Sequence, residues 1–240
     1  MRTLDPAGDR GQDAAMTSQP ARIRFYFDII SPYAYLGWTQ IHALAERVGA
    51  VVDLEPVLFA AMLNHYGNKG PAEVAPKRLY LFKDVLRRAH RLGVPFRSPP
   101  HHPFNPLLAM RAASLPLPEV SRRRLIEGLF KAVWAEGQGV EGPEQLGEVA
   151  TAAGLDGAVI VRDAQGAEAK ARLRRQTEEA LAAGVFGVPT MLVGEELFWG
   201  ADSLIEVEAH LRGEDPLQRE GAEAFARWVA TTPSAQRVPS

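Results

Sequence analysis

The chain has 240 residues, 46% apolar and 23% charged, the composition of an ordinary globular protein with room for one large domain or two small ones. Twenty-seven basic against 29 acidic residues leave a net charge of −2, which argues against nucleic-acid binding by bulk charge, and no apolar run approaches the ~20 residues of a membrane-spanning helix. Cysteine is absent, which excludes disulfides, thiolate metal sites and any thiol nucleophile carried by the chain, and points to a reducing compartment, the cytoplasm.

Residues 1–20 are rich in Gly, Asp, Ala, Ser and Gln, lack the apolar core of a secretory signal, and are expected to form a disordered tail, with Met16 as a second candidate start. The ordered part opens at Arg22–Phe27. There Ile23, Phe25 and Phe27 alternate with Arg22, Arg24 and Tyr26, the period of a half-buried strand. Ser31 offers a helix N-cap and Pro32 a first helical residue. The helix predicted from there runs to about Val48, with Leu36, Ile41, Leu44, Ala45 and Val48 inside, and Gly49 ends it. A second strand over Val51–Val57 completes a β-α-β unit, so the two strands are expected to be parallel.

The middle of the chain reads as helices. Pro76–Leu92 carries Leu79, Phe82, Leu86 and Ala89 at helical spacing and stops at Gly93. A Pro- and His-rich loop, Val94–Pro106, leads to a short helix over Leu107–Leu115. Ser121–Glu136 is the clearest helix, because Leu125/Ile126, Leu129/Phe130 and Val133/Trp134 recur every four residues. Two more are predicted over Pro143–Ala153 and Gly166–Ala183. Strands return at Val188–Val193 and Leu197–Trp199, a hairpin turning at Gly194-Glu195-Glu196. Gly200-Ala201-Asp202 leads into a last helix, about Ser203–Arg212. In the polar remainder, Phe225, Trp228 and Val229 share one helical face within Ala222–Val229 and are expected to dock on the body. The order β-α-β, helices, β-β-α suits an α/β fold with one mixed sheet and a large helical insertion.

Two segments carry chemistry. At Asp28–Tyr33 a strand turns into a helix whose first N–H groups and partial positive charge face outward beside the Ser31 hydroxyl. Such a turn can stabilise a docked anion; read alone, Ser31 is simply a cap. At Gly187-Val188-Pro189-Thr190 a proline opens a strand. With that peptide bond cis, Val188 can turn its free N–H and C=O outward to pair with an extended peptide; read alone, this is an edge-strand proline. Other signals are discounted. Gly137–Gly142 spells G-x-G-x-x-G but follows a helix rather than a strand. His101 and His102 are adjacent, not at ligand spacing, so no metal site is expected. Arg122-Arg123-Arg124 reads as a solvated helical face.

Four blocks, in order and spacing, span about residues 22–212. They are Phe27-Asp-Ile-Ile-Ser-Pro-Tyr-Ala-Tyr-Leu36; Gly67-Asn-Lys-Gly-Pro71 with Pro76-Lys77 and Leu79-Tyr80; Ala132-Val-Trp-Ala-Glu-Gly137; and Val185-Phe-Gly-Val-Pro-Thr-Met191 with Phe198-Trp-Gly-Ala-Asp202. On these blocks the chain resembles the kappa-class glutathione transferase and 2-hydroxychromene-2-carboxylate isomerase family. That resemblance implies a DsbA-like thioredoxin fold with serine in place of the first redox cysteine. It also implies a plan: residues 21–60 and 184–212 as a discontinuous thioredoxin-like domain, 61–183 as an inserted helical domain, and 213–240 as an extension.

The resemblance further implies a glutathione site. Ser31 would be the catalytic residue, donating a hydrogen bond to the glutathione sulfur so that thiolate is favoured over thiol. Pro32 and Tyr33 would line the same turn. Val188, beside a cis Pro189, would pair its main chain with the cysteinyl unit. The γ-glutamyl end would lie along Trp199, Gly200, Ala201 and Asp202, with Asp202 for the ammonium. Asn68 would reach in from the inserted domain. Lys77 is either a partner for a carboxylate of glutathione or substrate, or a surface lysine.

The activity expected is that of a glutathione-dependent isomerase acting on an aromatic or conjugated carboxylate by reversible thiolate addition, with no net consumption of glutathione. The alternatives are a kappa-like transferase and a non-catalytic glutathione-binding module. On that resemblance the Phe198-Trp199-Gly200, Val133-Trp134-Ala135-Glu136-Gly137 and Gly187–Met191 stretches lean toward the isomerase branch, and Ala201 lacks the hydroxyl of the transferase branch. The sequence departs from the isomerase pattern at Leu63, at Glu73-Val74 and at His102 or Phe104, all on the substrate side. The family also implies a homodimer.

Overall fold

The computed structural model describes residues 19–219 and 221–232. Most of the tail expected over residues 1–20, with Met16, and the last eight residues of the extension lie outside the described residues. A four-stranded mixed sheet holds β1 (Arg22–Phe27), β2 (Val51–Pro56), β3 (Thr190–Val193) and β4 (Glu196–Trp199) in the order β2-β1-β3-β4. As expected, β1 and β2 are parallel, with Phe27 opposite Pro56. Strand β3 runs antiparallel to both β1 and β4. The β3–β4 hairpin turns on Gly194-Glu195, where Gly194 supplies φ +60°.

The alternation in β1 places Ile23, Phe25 and Phe27 in the main core, against α1 (Pro32–Val48) and the helical block. Tyr26 is fully buried as well, in a smaller core on the opposite face with Val57, Met62, Ala180, Val188 and Leu192. Strand β1 is central and covered on both faces toward its C-terminal end, so Tyr26 goes inside too, while Arg22 stays exposed and Arg24 partly so. Burial pushes the Tyr26 phenol up to about 12.

Helices α2 (Phe59–His65), α3 (Ala75–Leu92), α4 (Leu107–Ala113), α5 (Glu119–Phe130), α6 (Pro143–Ala152), α7 (Gly157–Gln165) and α8 (Ala167–Ala182) fill the interval between β2 and β3. Helix α5 continues as a π-helical turn, Lys131–Ala135, and Leu125, Ile126, Leu129, Phe130, Val133 and Trp134 are all fully buried. Helix α9 (Leu204–Leu211) follows a 3₁₀ turn at Ala201–Ser203, and α10 (Gly221–Val229) ends the described chain.

The structure corrects several expectations. The buried stripe of α3 is Leu81, Val85 and Ala89, whereas Leu79 and Leu86 are 65% and 57% exposed. Both stripes have helical spacing, and the smaller residues of the inner one let α3 lie close on α1. Arg122 is not on a solvated face. Its guanidinium donates to the carbonyls of Ala113 and Leu54, pinning α5 to β2 and to the end of α4. Helices α2 and α7 were not expected. Helix α2 has no side-chain cap and buries one residue, Met62, and so leaves no periodic signal. Helix α7 starts on an Asp156 cap that accepts from the Val159 N–H at 3.0 Å. Helix α10 forms but does not dock: Phe225, Trp228 and Val229 are all exposed, and the helix buries nothing.

Candidate active site at the start of helix α1

The loop Asp28–Ser31 carries β1 into α1 and is held from several sides. The Ile29 carbonyl accepts from the Trp134 indole at 2.8 Å, and the Ile29 N–H points at the Met110 sulfur at 3.4 Å. His102 Nε2 lies 3.0 Å from the Ile30 carbonyl. A carbonyl can only accept, so that nitrogen carries the proton. The His102 Nδ1 is then a buried acceptor without a protein partner. The imidazole packs edge-on against Phe82, Phe104 and Trp134, and burial lowers its pKa. The inserted helices thus fix the backbone that presents Ser31. Replacing Trp134 by phenylalanine removes the indole donor and trims a fully buried ring. It is expected to cost at least ~1–3 kcal/mol, the penalty for a buried carbonyl left bare, with the cavity adding to it, read as an earlier urea midpoint.

Asp28 sits beneath the same loop, 1% exposed. Its carboxylate accepts from the Ile30 N–H at 3.1 Å and from the Phe59 N–H at the start of α2 at 3.0 Å. No cation pairs with it among the described residues. Burial outweighs the two N–H groups and pushes its pKa up to about 6.

Ser31 caps α1, its oxygen accepting from the Ala34 N–H at 3.2 Å. Its hydroxyl donates to the Val188 carbonyl across the chain at 3.3 Å. Pro32 is the first residue of the helix. The Val188–Pro189 peptide is cis. Among the described residues the Val188 N–H has no backbone partner. Val188 therefore stands before the first strand residue with one donor unpaired and one acceptor held only by Ser31.

The Gly200 N–H donates to the Pro189 carbonyl at 2.9 Å, which brings the 200–202 turn beside the cis proline. Gly200 has φ +96°, a conformation that side chains other than glycine resist. The Trp199 ring, half-exposed, lies against Phe186 and over Gly187, where a Cβ would meet its Nε1 at 2.6 Å. Ala201 is buried, and Asp202 is exposed with a carboxylate oxygen 3.6 Å from Arg88. Arg88 also binds Asp84 at 2.7 Å, and Asp84 accepts from the Tyr33 hydroxyl at 2.9 Å. The guanidinium lies over the Tyr33 ring, 5.7 Å from its centre. Burial, then the Asp84 contact, raises the Tyr33 phenol pKa. A chain of polar contacts, Tyr33–Asp84–Arg88–Asp202, thus joins α1, α3 and the 200–202 turn.

Lys77 is exposed and lines a cavity of about 380 Å³ with Tyr33, Pro71, Pro76, Tyr80 and Leu81. Asn68 lies exposed in the loop after α2, and no hydrogen bond ties its side chain to the others among the described residues. Ser31, Val188, Pro189 and Gly200 are in direct contact, Tyr33 and Asp202 are linked to them, and Lys77 borders Tyr33. The sequence places His102 on the substrate side and gives Asp28, Asp84, Arg88 and Trp134 no site role of their own. The Asp84/Arg88 pair at i, i+4 on a helix opening with Pro76-Lys77 was a usable signal. Among the described residues no three metal-ligating side chains cluster, and no helix is long and apolar enough to cross a membrane.

A parallel β-α-β unit, an antiparallel hairpin entered by a cis proline, and a helix N-terminus facing that proline define a thioredoxin-like fold. The chain belongs to the DSBA-like thioredoxin domain family, whose model matches residues 22–212, and within it to the group of 2-hydroxychromene-2-carboxylate isomerases and kappa-class glutathione transferases. It is 29% identical over 191 residues to the 2-hydroxychromene-2-carboxylate isomerase of Sphingobium xenophagum, covering 79% of this chain and 97% of that protein. It is 30% identical over 203 residues to glutathione S-transferase kappa 2 of Caenorhabditis elegans, covering 77% and 89%. Among solved structures it is similar to that of a 2-hydroxychromene-2-carboxylate isomerase, with a TM-score of 0.75 and 27% identity over 85% of this chain and 98% of the other.

Proposed function

We propose that this chain is a glutathione-dependent isomerase that acts on an aromatic or conjugated carboxylate, working as a cytoplasmic homodimer. The observation that carries the reading is the pairing of Ser31 with Val188. A hydroxyl at a helix N-terminus donates to the carbonyl of Val188, whose own N–H has no backbone partner, beside a cis proline, in a chain with no cysteine. Bound glutathione would supply the thiolate that adds reversibly to a conjugated carbon. The chain's own residues bind and orient. The Ser31 hydroxyl and the N–H groups opening α1 favour an anion at that point. Val188 would pair with the cysteinyl unit as an added strand. The 200–202 turn and Asp202 would take the γ-glutamyl end, Asn68 and Lys77 the remainder. The cavity beside Tyr33 and Tyr80, edged by the Lys77 ammonium, suits a planar carboxylate.

The test is an ultraviolet difference titration with glutathione across pH. A saturable thiolate band near ~240 nm, present well below the free-thiol pKa of ~8.5, supports the reading; binding without that band removes it. Product mass then separates the enzymatic alternatives. An isomerised substrate with glutathione recovered marks an isomerase, and a conjugate marks a kappa-like transferase. Tight binding with no turnover of either kind marks a non-catalytic glutathione-binding module.

Arg88 gives a sharper expectation. It holds Asp202 and Asp84 but lies away from Ser31, so Arg88→Gln is expected to weaken glutathione binding ~3–10-fold, a loss of about 1 kcal/mol. The pKa of the bound thiol should stay where it is. The same titration reads both quantities, and a moved thiol pKa would place Arg88 nearer the sulfur than the geometry does.

A further inference from the structure

Helix α3 opens with Ala75-Pro76-Lys77-Arg78, two cations and no acidic residue in its first turn. Cations there face the positive end of the helix dipole, so helix stability does not account for them. The two point in different directions. Lys77 shares a face with Tyr80 and Leu81 and borders the cavity beside Tyr33. Arg78 stands three residues before Leu81 and four before Phe82, on the stripe that continues through Val85 and Ala89 into the core. One turn on from Arg78, the Phe82 ring packs edge-on against His102 with centres 5.3 Å apart, and His102 holds the carbonyl of Ile30, next to Ser31. The inward stripe of α3 therefore leaves the core at Arg78, which is exposed, beside the turn that carries the Ser31 hydroxyl.

Nothing among the described residues neutralises Arg78: it enters no ion pair. The only acidic residues between Lys69 and Arg97 are Glu73 and Asp84, and both are engaged. Glu73 accepts from the Gly70 N–H at 2.7 Å, and Asp84 is held by Tyr33 and Arg88. Burial, and with it the charge of Arg78, lowers the pKa of His102 against the pull of the Ile30 carbonyl, so the imidazole stays neutral beside the guanidinium.

We propose that Arg78 is the residue that selects the substrate by its acid group: the guanidinium binds the carboxylate through two parallel N–H···O bonds, while the rest of the molecule lies in the cavity along Tyr33, Tyr80 and Leu81. Leu81 belongs both to that cavity and to the stripe that Arg78 ends, so one small molecule spans the two. The planar fork of arginine matches a carboxylate in shape as well as charge. An uncharged analogue of the same shape fills the cavity and leaves the guanidinium unmet. The inference deepens the function proposed above and rests on it for the class of substrate. It names the group that recognises the acid and does not involve the thiolate.

The test is isothermal titration calorimetry of the glutathione-loaded protein with trans-cinnamate, a planar conjugated acid, and with trans-cinnamamide, the same skeleton without the charge. The wild type should bind the acid ~10-fold or more tightly than the amide, the effect of a charge-assisted pair. In Arg78→Gln that preference should vanish. Its affinity for the amide, its affinity for glutathione and the pKa of the bound thiol should all stay as they are, which a general disturbance of the site would not allow. Arg87→Gln, which removes an exposed charge farther along α3, should leave the preference intact. A preference that survives in Arg78→Gln, or that Arg87→Gln abolishes equally, overturns the assignment. So does a wild type that binds no cinnamate or does not tell it from the amide. If glutathione itself fails to bind, the function proposed above fails instead, and the same comparison of acid with amide on the free protein still decides the role of Arg78.

Discussion

Ser31→Ala is expected to raise the pKa of the bound glutathione thiol by about one to two units. A hydrogen bond to a charged group contributes ~1.5–3 kcal/mol, and one pKa unit corresponds to ~1.4 kcal/mol. At neutral pH most of the bound thiolate, and with it most of the turnover, should vanish. The same oxygen caps α1, so the variant should also lose ~1 kcal/mol of stability. Ser31→Thr separates the two effects because it keeps a hydroxyl in place, and it should restore most of the thiolate band. An alanine variant with an unchanged thiol pKa would mean that the helix N-terminus, not the hydroxyl, stabilises the anion.

Asp28 predicts a second large effect, on stability and its pH dependence. Its pKa is about 6 in the folded protein, against ~3.9 for an unfolded aspartate. The folded state therefore holds the proton more tightly. Its stabilising contribution is complete below about pH 4 and is lost as pH rises through 6, by up to ~3 kcal/mol. Asp28→Asn has no charge to bury. Its side-chain carbonyl still accepts from one N–H, and the other, Ile30 or Phe59, loses its acceptor. Urea unfolding of both proteins at several pH values should show their difference in stability shifting against the wild type between about pH 4 and 7. A difference flat with pH would mean that Asp28 titrates as though in water.

Much of this was legible in the sequence where a local rule and a global need agreed. Ile23, Phe25 and Phe27, the Ser31-Pro32 helix start and the paired apolar residues of α5 are each both locally favoured and buried. The mixed sheet with β1 and β2 parallel followed from the β-α-β and β-β-α halves, whereas the strand order came only with the structure. Two of the failures, on α3 and α10, share one physical cause, a periodic pattern that does not say which side faces the core. Helix α3 has two apolar stripes, and the smaller one won because it packs closer. The apolar face of α10 matches a docked helix by pattern, yet no surface of the described chain meets it. The polar supports of the site were illegible for a different reason. Trp134 and His102 reach Ile29 and Ile30 across 105 and 72 residues, and nothing local marks a side chain that will donate to a distant backbone.

The supports of the Asp28–Ser31 loop also bear on how the protein opens. Its backbone is gripped by Trp134 next to α5, His102 from the proline-rich loop and Met110 on α4, while Asp28 is tied in turn to α2. No single helix can peel away and free it. In most binding sites the ligand-contacting loop exchanges its amide hydrogens through small local openings. Here the amides of Ile29, Ile30 and Ser31 should exchange with the last protected protons of β1, through unfolding of the whole molecule. A site held that way is shaped before any ligand arrives, and its rigidity is a property of the entire core.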